Sequence, residues 1–178
     1  MNEKIWITSD SHFGHQNIIK YCARPYESVS QMNTDLIKRW NDVVRPQDVV
    51  YHLGDFGMGG KAVISQWRRA LNGKIKLIKG NHDDHSNQWY RDCGFDEVYD
   101  RPILVQGFYI LSHAPLEFMT DNIPFANIYG HVHNDERWKP FTTHSFNACV
   151  EVNNYQPILF EDIKEIMKGV SENEALSD

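Results

Sequence analysis

The sequence predicts a layered α/β protein with two β-sheets and outer helices. In the first half, short apolar runs rich in β-branched residues alternate with stretches of helical periodicity. The second half consists mostly of further short apolar runs separated by turn-forming pairs. With 178 residues, 41% of them hydrophobic and 24% charged, the chain has the composition of a folded domain rather than a disordered one.

The first half is predicted to alternate strands with helices. Ile5–Thr8 is a short apolar and β-branched run, typical of a buried strand. Apolar residues recur at helical spacing after Ser30, a candidate N-cap, and Pro46 follows the end of that helix. A second strand, a second helix and a third strand are expected at Val49–Leu53, Lys61–Leu71 and Ile75–Ile78.

The second half is predicted to be richer in strands and mostly antiparallel. Gln106-Gly107 and Asn153-Asn154 are typical of turns between two apolar runs. The expected strands are Ile103–Val105, Phe108–Leu111, Asn127–Tyr129, Ala148–Val152 and Pro157–Phe160, followed by a helix over Glu161–Met167. Because no repeat or linker interrupts the chain, we expect one domain over residues 1–170 and a polar C-terminal tail over residues 171–178.

Composition excludes several classes of protein. Eighteen basic and 24 acidic residues give a formal net charge of −6, so strong binding to duplex nucleic acid is not expected. Cys22, Cys93 and Cys149 are odd in number and widely spaced, which argues against a disulfide framework and a cysteine zinc site. No apolar run approaches the about 20 residues that span a bilayer, and the N-terminus lacks a signal-peptide pattern. We therefore expect a soluble, cytoplasmic protein that does not act at a membrane.

Potential metal ligands follow five predicted strands at the point where each strand ends. The five motifs are Asp10-Ser11-His12, Gly54-Asp55, Gly80-Asn81-His82-Asp83, Ser112-His113 and Gly130-His131-Val132-His133. Because ligands bind outside the carboxyl ends of strands in open α/β sheets, these motifs can converge. Residues i and i+2 of extended backbone point to the same side, so Asp10 and His12 can face one ion, as can the histidines of the last motif. Oxygen and imidazole ligands suit Mn²⁺, Fe, Co²⁺, Ni²⁺ or Zn²⁺ better than Ca²⁺, and seven or more ligands are too many for one ion.

This ordered set of motifs, over residues 10–133, resembles the calcineurin-like metallophosphoesterases. The stretch from Asp10 to His15, together with Tyr21-Cys22-Ala23-Arg24-Pro25, resembles a small, cap-less bacterial or phage branch of that family. The resemblance implies a four-layer α/β/β/α sandwich with two mixed β-sheets. It also implies two divalent metal ions, Mn²⁺ foremost, with Fe, Ni²⁺, Co²⁺ or Zn²⁺ as alternatives.

The resemblance assigns a role to each motif residue. The first metal ion would be held by Asp10, His12 and His133, the second by Asn81, His113 and His131, and both by Asp55. His82 would be the catalytic acid or electrostatic partner beside the metal ions, and Asp83 would lie behind His82 and orient it.

Three residues are expected to contact the substrate: His15, Arg24 and Asn81. A guanidinium group matches phosphate geometry, which favours Arg24 as a phosphate-binding side chain. The alternative for His15 is a cap on a loop, and the alternative for Arg24 is a solvated side chain before Pro25.

The predicted function is hydrolysis of phosphate esters by attack of a metal-bridging hydroxide, with small or nucleotide-like phosphodiesters preferred. One alternative is a metal-dependent nuclease acting on RNA or DNA ends, and another is a non-catalytic binding scaffold of the same fold. A dimetal hydrolase of the β-lactamase type is disfavoured, because its H-x-H-x-D-H run is absent. A phosphate-ester substrate is the expected partner, and the chain is expected to be a monomer or a small homo-oligomer.

Overall fold

The computed structural model describes residues 2–116 and 124–175. Its strands are β1 (Ile5–Thr8), β2 (Val49–His52), β3 (Lys74–Ile78), β4 (Glu97–Tyr99), β5 (Ile103–Val105), β6 (Tyr109–Leu111), β7 (Ala126–Tyr129), β8 (Ser145–Asn147) and β9 (Ile158–Leu159). Its helices are α1 (Ile18–Tyr21), α2 (Val29–Val43), α3 (Lys61–Ala70), α4 (Asn87–Asp92) and α5 (Phe160–Ala175), and a 3₁₀ turn covers Val150–Val152.

The strands form two mixed sheets, which confirms the predicted fold class. The first sheet has the order β4-β3-β2-β1-β9, and only β9 runs antiparallel to its neighbour. The second sheet has the order β5-β6-β7-β8, with β5 antiparallel to β6 and the other pairs parallel. The prediction of a mostly antiparallel second half is therefore wrong. Strands β6, β7 and β8 pair in parallel, and parallel neighbours cannot be joined by a hairpin turn.

The expected strand at Ala148–Val152 is also wrong. Strand β8 ends at Asn147, and the chain then leaves the second sheet for the first. The Ala148 N–H still donates to the carbonyl of Tyr129 (2.7 Å), whereas the Val150 N–H donates to the carbonyl of Ser9 (3.2 Å). The 3₁₀ turn that follows is thereby held against the loop after β1.

Helices α2 and α5 differ from the sequence prediction by more than one residue at an end. Helix α2 is capped by Ser28 rather than Ser30, because the Ser28 hydroxyl accepts a hydrogen bond from the Gln31 N–H (3.2 Å). Helix α5 begins at Phe160 and ends at Ala175, eight residues beyond the expected end at Met167. It therefore includes part of the expected tail, whose last residues, 176–178, lie outside the described residues.

Two hydrophobic clusters hold the layers together. The first cluster lies between the first sheet and helices α2 and α3 and includes Met32, Trp40, Val50 and Ile64. The second cluster, which includes Ile7, Leu53, Ile128, Phe146 and Ile163, lies between the two sheets and α5. Successive residues of a strand face opposite sides, so Trp6 packs on the first cluster and Ile7 lies in the second. Within the described ranges, none of the helices is long and apolar enough to cross a membrane.

Candidate metal centre

The loops that follow β1, β2, β3, β6 and β7 meet at one edge of the two sheets. The Asp10 N–H donates to the carbonyl of Gly54 (3.0 Å) and joins the first two loops. The Gly130 N–H donates to the carbonyl of His113 (2.8 Å) and joins the last two. The structure thus brings together five motifs that are far apart in the sequence.

Several residues of these loops adopt a left-handed backbone conformation. They are Asp10 (φ 58°), His12 (φ 50°), Asp55 (φ 54°), His131 (φ 71°) and His133 (φ 50°). Residues other than glycine rarely adopt this conformation, which costs of order 1–3 kcal/mol at each position. Such strain persists where the surrounding structure imposes it, and it clusters at functional sites. The loops are therefore shaped to turn these side chains towards one another.

Glycines let the backbone approach the carboxylates closely. A Cβ atom at Gly80 would overlap the Asp55 carboxylate. A Cβ atom at Gly130 would overlap the hydroxyl of Ser9 and the carboxylate of Asp10. At both positions any other residue would displace a candidate metal ligand.

Three side chains form the first group of candidate ligands. Asp10 Oδ1 lies 3.8 Å from His12 Nε2 and 3.7 Å from His133 Nε2. Two atoms that each lie about 2.0–2.1 Å from one cation are at most about 4.2 Å apart, so these separations fit a shared ion. Asp10 Oδ1 and His12 Nε2 are buried and have no hydrogen-bond partner among the described residues. Buried polar atoms without partners are rare and costly, and a cation between them would satisfy both.

Asn81, His113 and His131 form the second group. His113 Nε2 lies 2.9 Å from Asn81 Oδ1 and 3.1 Å from His131 Nδ1. His113 Nδ1 lies 2.8 Å from the backbone carbonyl of Leu53, which can only accept, so Nδ1 carries a proton and Nε2 is the nitrogen that can bind a cation. A cation bound there would also be within reach of Asn81 Oδ1.

The Asp55 carboxylate lies between the two groups. Its Oδ2 is 3.5 Å from His12 Nε2 and 3.6 Å from His113 Nε2. Its Oδ1 accepts a hydrogen bond from the His82 N–H (2.9 Å), which fixes the direction of the carboxylate. Burial and the neighbouring Asp10 raise the pKa of Asp55 above its ordinary value. Both causes disfavour the charged carboxylate, and a bound cation would offset them.

The protonation state of His12 and of His131 also suits metal binding. Burial, together with the neighbouring His133, lowers the pKa of His12 far below its ordinary value. Burial and the neighbouring His113 lower the pKa of His131. Both rings are therefore neutral at pH 7, the form that binds a metal ion.

A sequence model of the calcineurin-like phosphoesterases matches residues 3–173. The chain belongs to this family. An uncharacterized protein of Methanocaldococcus jannaschii is 41% identical over 174 residues, which cover 93% of each chain. The gene 66 protein of Mycobacterium phage L5 is 35% identical over 81 residues, 44% of this chain and 39% of the phage protein. The crystal structure of a protein of unknown function from Aquifex aeolicus matches with a TM-score of 0.69 and 28% identity, covering 93% of this chain and 100% of the other.

Membership of the calcineurin-like phosphoesterases makes this protein a metal-dependent hydrolase of phosphoester bonds. The family typically uses a binuclear centre of divalent metal ions. The clustered ligand atoms described above, with their unpartnered Asp10 and His12 atoms, fit such a centre.

The structure gives Asp83 a different contact from the one predicted. Its carboxylate accepts hydrogen bonds from the N–H groups of Asp55 (2.7 Å), Gly80 (2.9 Å) and Phe56 (3.2 Å). Burial raises the pKa of Asp83 to about 6. The prediction that Asp83 orients the His82 ring is therefore wrong, because both of its oxygens are taken by backbone amides. Asp83 instead joins the loops after β2 and β3.

Arg24 does not face the substrate side of this phosphoesterase. Its guanidinium is fully buried and donates to the carbonyls of Asp10 (2.7 Å) and Ser11 (2.9 Å). It also donates to the Glu151 carboxylate (2.6 and 2.9 Å) and to the sulfur of Met32 (3.4 Å). Since the protein itself uses its donors, the prediction that Arg24 binds a substrate phosphate is wrong.

His82 and His15 lie at the open side of the centre. The His82 side chain is 43% exposed, and its Nε2 lies 4.0 Å from Asp55 Oδ2. His15 Nδ1 lies 3.3 Å from His12 Nδ1, so His15 also supports a candidate ligand. Both rings line one cleft, and Asn81 is exposed beside it.

Glu151 supports a candidate metal ligand, although the sequence analysis did not predict a role for it. Its Oε1 accepts a hydrogen bond from His133 Nδ1 (2.9 Å), and its side chain is buried. Burial opposes protonation of His133, but hydrogen bonds to Cys22 and Glu151 outweigh it and raise the pKa of His133 to about 10, so metal binding there releases a proton. A lone acid within the apolar run Cys149–Val152 was the available signal, because a buried carboxylate needs a partner.

Proposed function

We propose that this phosphoesterase hydrolyses phosphodiesters at a centre of two divalent metal ions, of which Mn²⁺ is the foremost candidate. The observation that carries the proposal is the position of Asp55 Oδ2, within 3.6 Å of a candidate ligand of each group. The first ion would be held by Asp10, His12 and His133, the second by Asn81, His113 and His131, and both by Asp55.

When bound, two such ions lower the pKa of an attacking water and neutralise the phosphoryl oxygens. The protein contributes only two carboxylates to the centre, Asp10 and Asp55, because its other candidate ligands are neutral in the bound form. Two negative charges against four positive ones leave a surplus that attracts a phosphate ester. Asn81 maintains this surplus, since an aspartate at the same position would remove one charge.

His82 is the residue that we assign to proton transfer. It is exposed, reaches the centre through its Nε2, and lines the cleft that a leaving group would occupy. A protonated His82 would donate its Nε2 proton to the departing alkoxide oxygen. His15, on the same cleft, would contact the phosphate, and Asn81 would do so from the other side.

The preference for diesters is supported by two clefts that meet at the His131–His133 loop. The larger, about 780 Å³, is lined by Ile18, Tyr21 and Met58 as well as by His82. The smaller, about 480 Å³, is lined by Ala114, Pro115, Arg137 and Trp138. A phosphorus atom between them has room for one substituent in each cleft. A monoester would fill only one.

The test compares bis(p-nitrophenyl) phosphate with p-nitrophenyl phosphate in the presence of Mn²⁺. We expect kcat/KM to be at least about tenfold higher for the diester, and we expect a chelator to abolish turnover of both. Asp92→Asn, which changes an exposed carboxylate paired with Lys61, serves as the control and should behave as the wild type.

Three results would contradict the proposal. A higher kcat/KM for the monoester would refute the diester preference. Absence of turnover with bound Mn²⁺, Fe²⁺, Ni²⁺, Co²⁺ and Zn²⁺ in turn would favour a binding scaffold. Release of mononucleotides from single-stranded oligonucleotides at a higher kcat/KM than any small diester would favour a nuclease.

We propose a small or nucleotide-like natural substrate, and the volumes of the two clefts support this proposal. The state of the cysteines supports a cytoplasmic location: Cys22, Cys93 and Cys149 are all free thiols and buried, as in a reducing compartment. We retain the prediction of a monomer or a small homo-oligomer.

A further inference from the structure

A buried ion pair lies directly behind the first group of ligands. Glu151 Oε1 accepts hydrogen bonds from Arg24 Nε (2.9 Å), Arg24 Nη2 (2.6 Å) and His133 Nδ1 (2.9 Å). The side chains of Arg24 and Glu151 are 0% and 1% exposed. Removing two charges from water is costly, so a pair buried this completely calls for a reason beyond stability.

The pair connects two loops that carry ligands of the same ion. On one side, Arg24 binds the carbonyls of Asp10 and Ser11. On the other side, Glu151 binds the ring of His133. The Arg24–Glu151 pair links Asp10 and His133, which are 123 positions apart. It contacts the Asp10 carbonyl and His133 Nδ1 rather than the metal-facing atoms Asp10 Oδ1 and His133 Nε2.

The contact with Glu151 also decides which nitrogen of His133 is available. A carboxylate only accepts, so His133 Nδ1 keeps a proton, and Nε2, 3.7 Å from Asp10 Oδ1, is the nitrogen that would bind an ion after releasing its own proton. A carboxylate on the outer nitrogen of a ligating histidine fixes the ring and strengthens it as a donor.

The same atoms could themselves be taken for a separate metal site, because ligand atoms of Cys22, His133 and Glu151 lie within 4.8 Å of one another. The Arg24 guanidinium argues against that site. It already places a positive charge on Glu151 Oε1, at 2.6 Å, and would repel a second cation.

We propose that Glu151, held in place by Arg24, is a positioning residue that raises the affinity of the first metal site and leaves the second site unaffected. The inference rests on the proposed binuclear centre but not on the reaction that the centre catalyses. Glu151 touches neither substrate nor metal ion, and it acts through His133.

The experiment measures Mn²⁺ binding to the metal-free protein, with the electron paramagnetic resonance signal of free Mn²⁺ as the readout. Glu151→Gln keeps the size of the side chain and removes its charge. We expect one of the two sites to lose affinity about 10–100-fold, and the other to change by less than about twofold. Asp48→Asn is the matched control: Asp48 is also fully buried, but it lies before β2, at the opposite end of the sheet, so both affinities should stay unchanged.

A double-mutant cycle separates positioning from a general structural role. In a His133→Ala background, Glu151→Gln should cause no further loss of Mn²⁺ affinity, because the ring through which it acts is gone. Additive losses, or an equal loss at both sites, would overturn the inference. Should Glu151→Gln fail to fold with Arg24 left unpaired, the Arg24→Met/Glu151→Gln variant removes both charges and is expected to show the same single-site loss.

The outcome also separates this inference from the proposed function. A wild-type protein that binds no Mn²⁺ or other divalent transition metal ion would refute the binuclear centre itself. A wild-type protein that binds two Mn²⁺ ions, with Glu151→Gln binding them equally well, would refute only the role of Glu151.

Discussion

The two groups of candidate ligands, which form the two halves of the candidate metal centre, are held in place by different parts of the protein. In the first half, side chains support the ligand rings: His15 contacts His12, and Glu151 contacts His133. In the second half, the backbone carbonyl of Leu53 accepts a hydrogen bond from His113 Nδ1. The first half therefore depends on the identity of distant side chains, whereas this part of the second half depends only on the path of the main chain.

The halves also differ in exposure. Asp10 and His12 are 0% and 2% exposed, whereas Asn81 and His131 lie open to solvent. Charges interact more strongly where water is excluded, so the first ion should be bound more tightly and should exchange more slowly. We therefore expect the proposed centre to hold one ion that exchanges slowly and one that exchanges readily.

The largest effect is expected from the residue that both halves share. Asp55→Ala should lower kcat by about 10³-fold or more and should weaken both Mn²⁺ sites, because Oδ2 lies between the two groups. Turnover of bis(p-nitrophenyl) phosphate and the bound Mn²⁺ content provide the measurements, with Asp92→Asn as the control. If Asp55→Ala retained both ions with unchanged affinity, the halves would not share this ligand.

A large effect on rate alone is expected at His82, which belongs to neither half. His82→Ala should lower kcat by roughly 10²–10⁴-fold through loss of the proton donor. Mn²⁺ affinities should stay unchanged. His85→Ala is a matched control, because His85 is an exposed histidine three positions after His82, and its ring stacks on Trp89. A fall in Mn²⁺ affinity with His82→Ala would make this residue a ligand rather than an acid.

Removing one ligand from each half should weaken the two Mn²⁺ sites by different factors. His12→Ala should weaken the tighter Mn²⁺ site about 10²-fold, and Asn81→Ala should weaken the looser site about tenfold. Stepwise addition of a chelator should remove the ions in two stages, with the looser one first. Simultaneous loss of both ions from the wild type would refute the inequality.

The smallest expected effect is that of a substitution at Asp48 on the stability of the fold. Both Mn²⁺ affinities should stay unchanged. Burial opposes the charge of Asp48, but hydrogen bonds from Arg45, Lys4 and Trp6 prevail and lower the pKa of Asp48 to about 2. A lowered carboxyl pKa stabilises the fold at pH values above the unfolded pKa near 4, and this stabilisation is lost as the pH falls towards 2.

Asp48→Asn should therefore cost about 2 kcal/mol of unfolding free energy at pH 7 and progressively less below pH 4. Urea unfolding of the metal-free wild type and variant over that pH range measures the difference. A cost that stayed constant down to pH 2 would show that the charge of Asp48 is not what stabilises the fold. A change in the ratio of the two Mn²⁺ affinities would show that the difference between the halves is not local.

Much of the fold was predictable because its signals are local. An apolar, β-branched run followed by a turn predicts β1 and β2 from a few neighbouring residues. The predictions failed where long-range contacts decide. Residues 148–152 have strand-like composition, yet Val150 bonds to Ser9 in the other sheet and the strand ends early. Asp83 was predicted to contact the adjacent ring of His82, but its carboxylate instead accepts hydrogen bonds from backbone amides of a neighbouring loop.

The residue types at each strand end, and their order, can be read from the amino-acid sequence, because each motif consists of neighbours along the chain. The side chains that support these motifs come from distant positions and are visible only in the folded protein. Arg24 and Glu151 are 127 positions apart, and nothing in the local pattern around either pairs them. Their partnership arises because the chain crosses from one sheet to the other at Cys149, which brings the buried carboxylate of Glu151 against the buried guanidinium of Arg24.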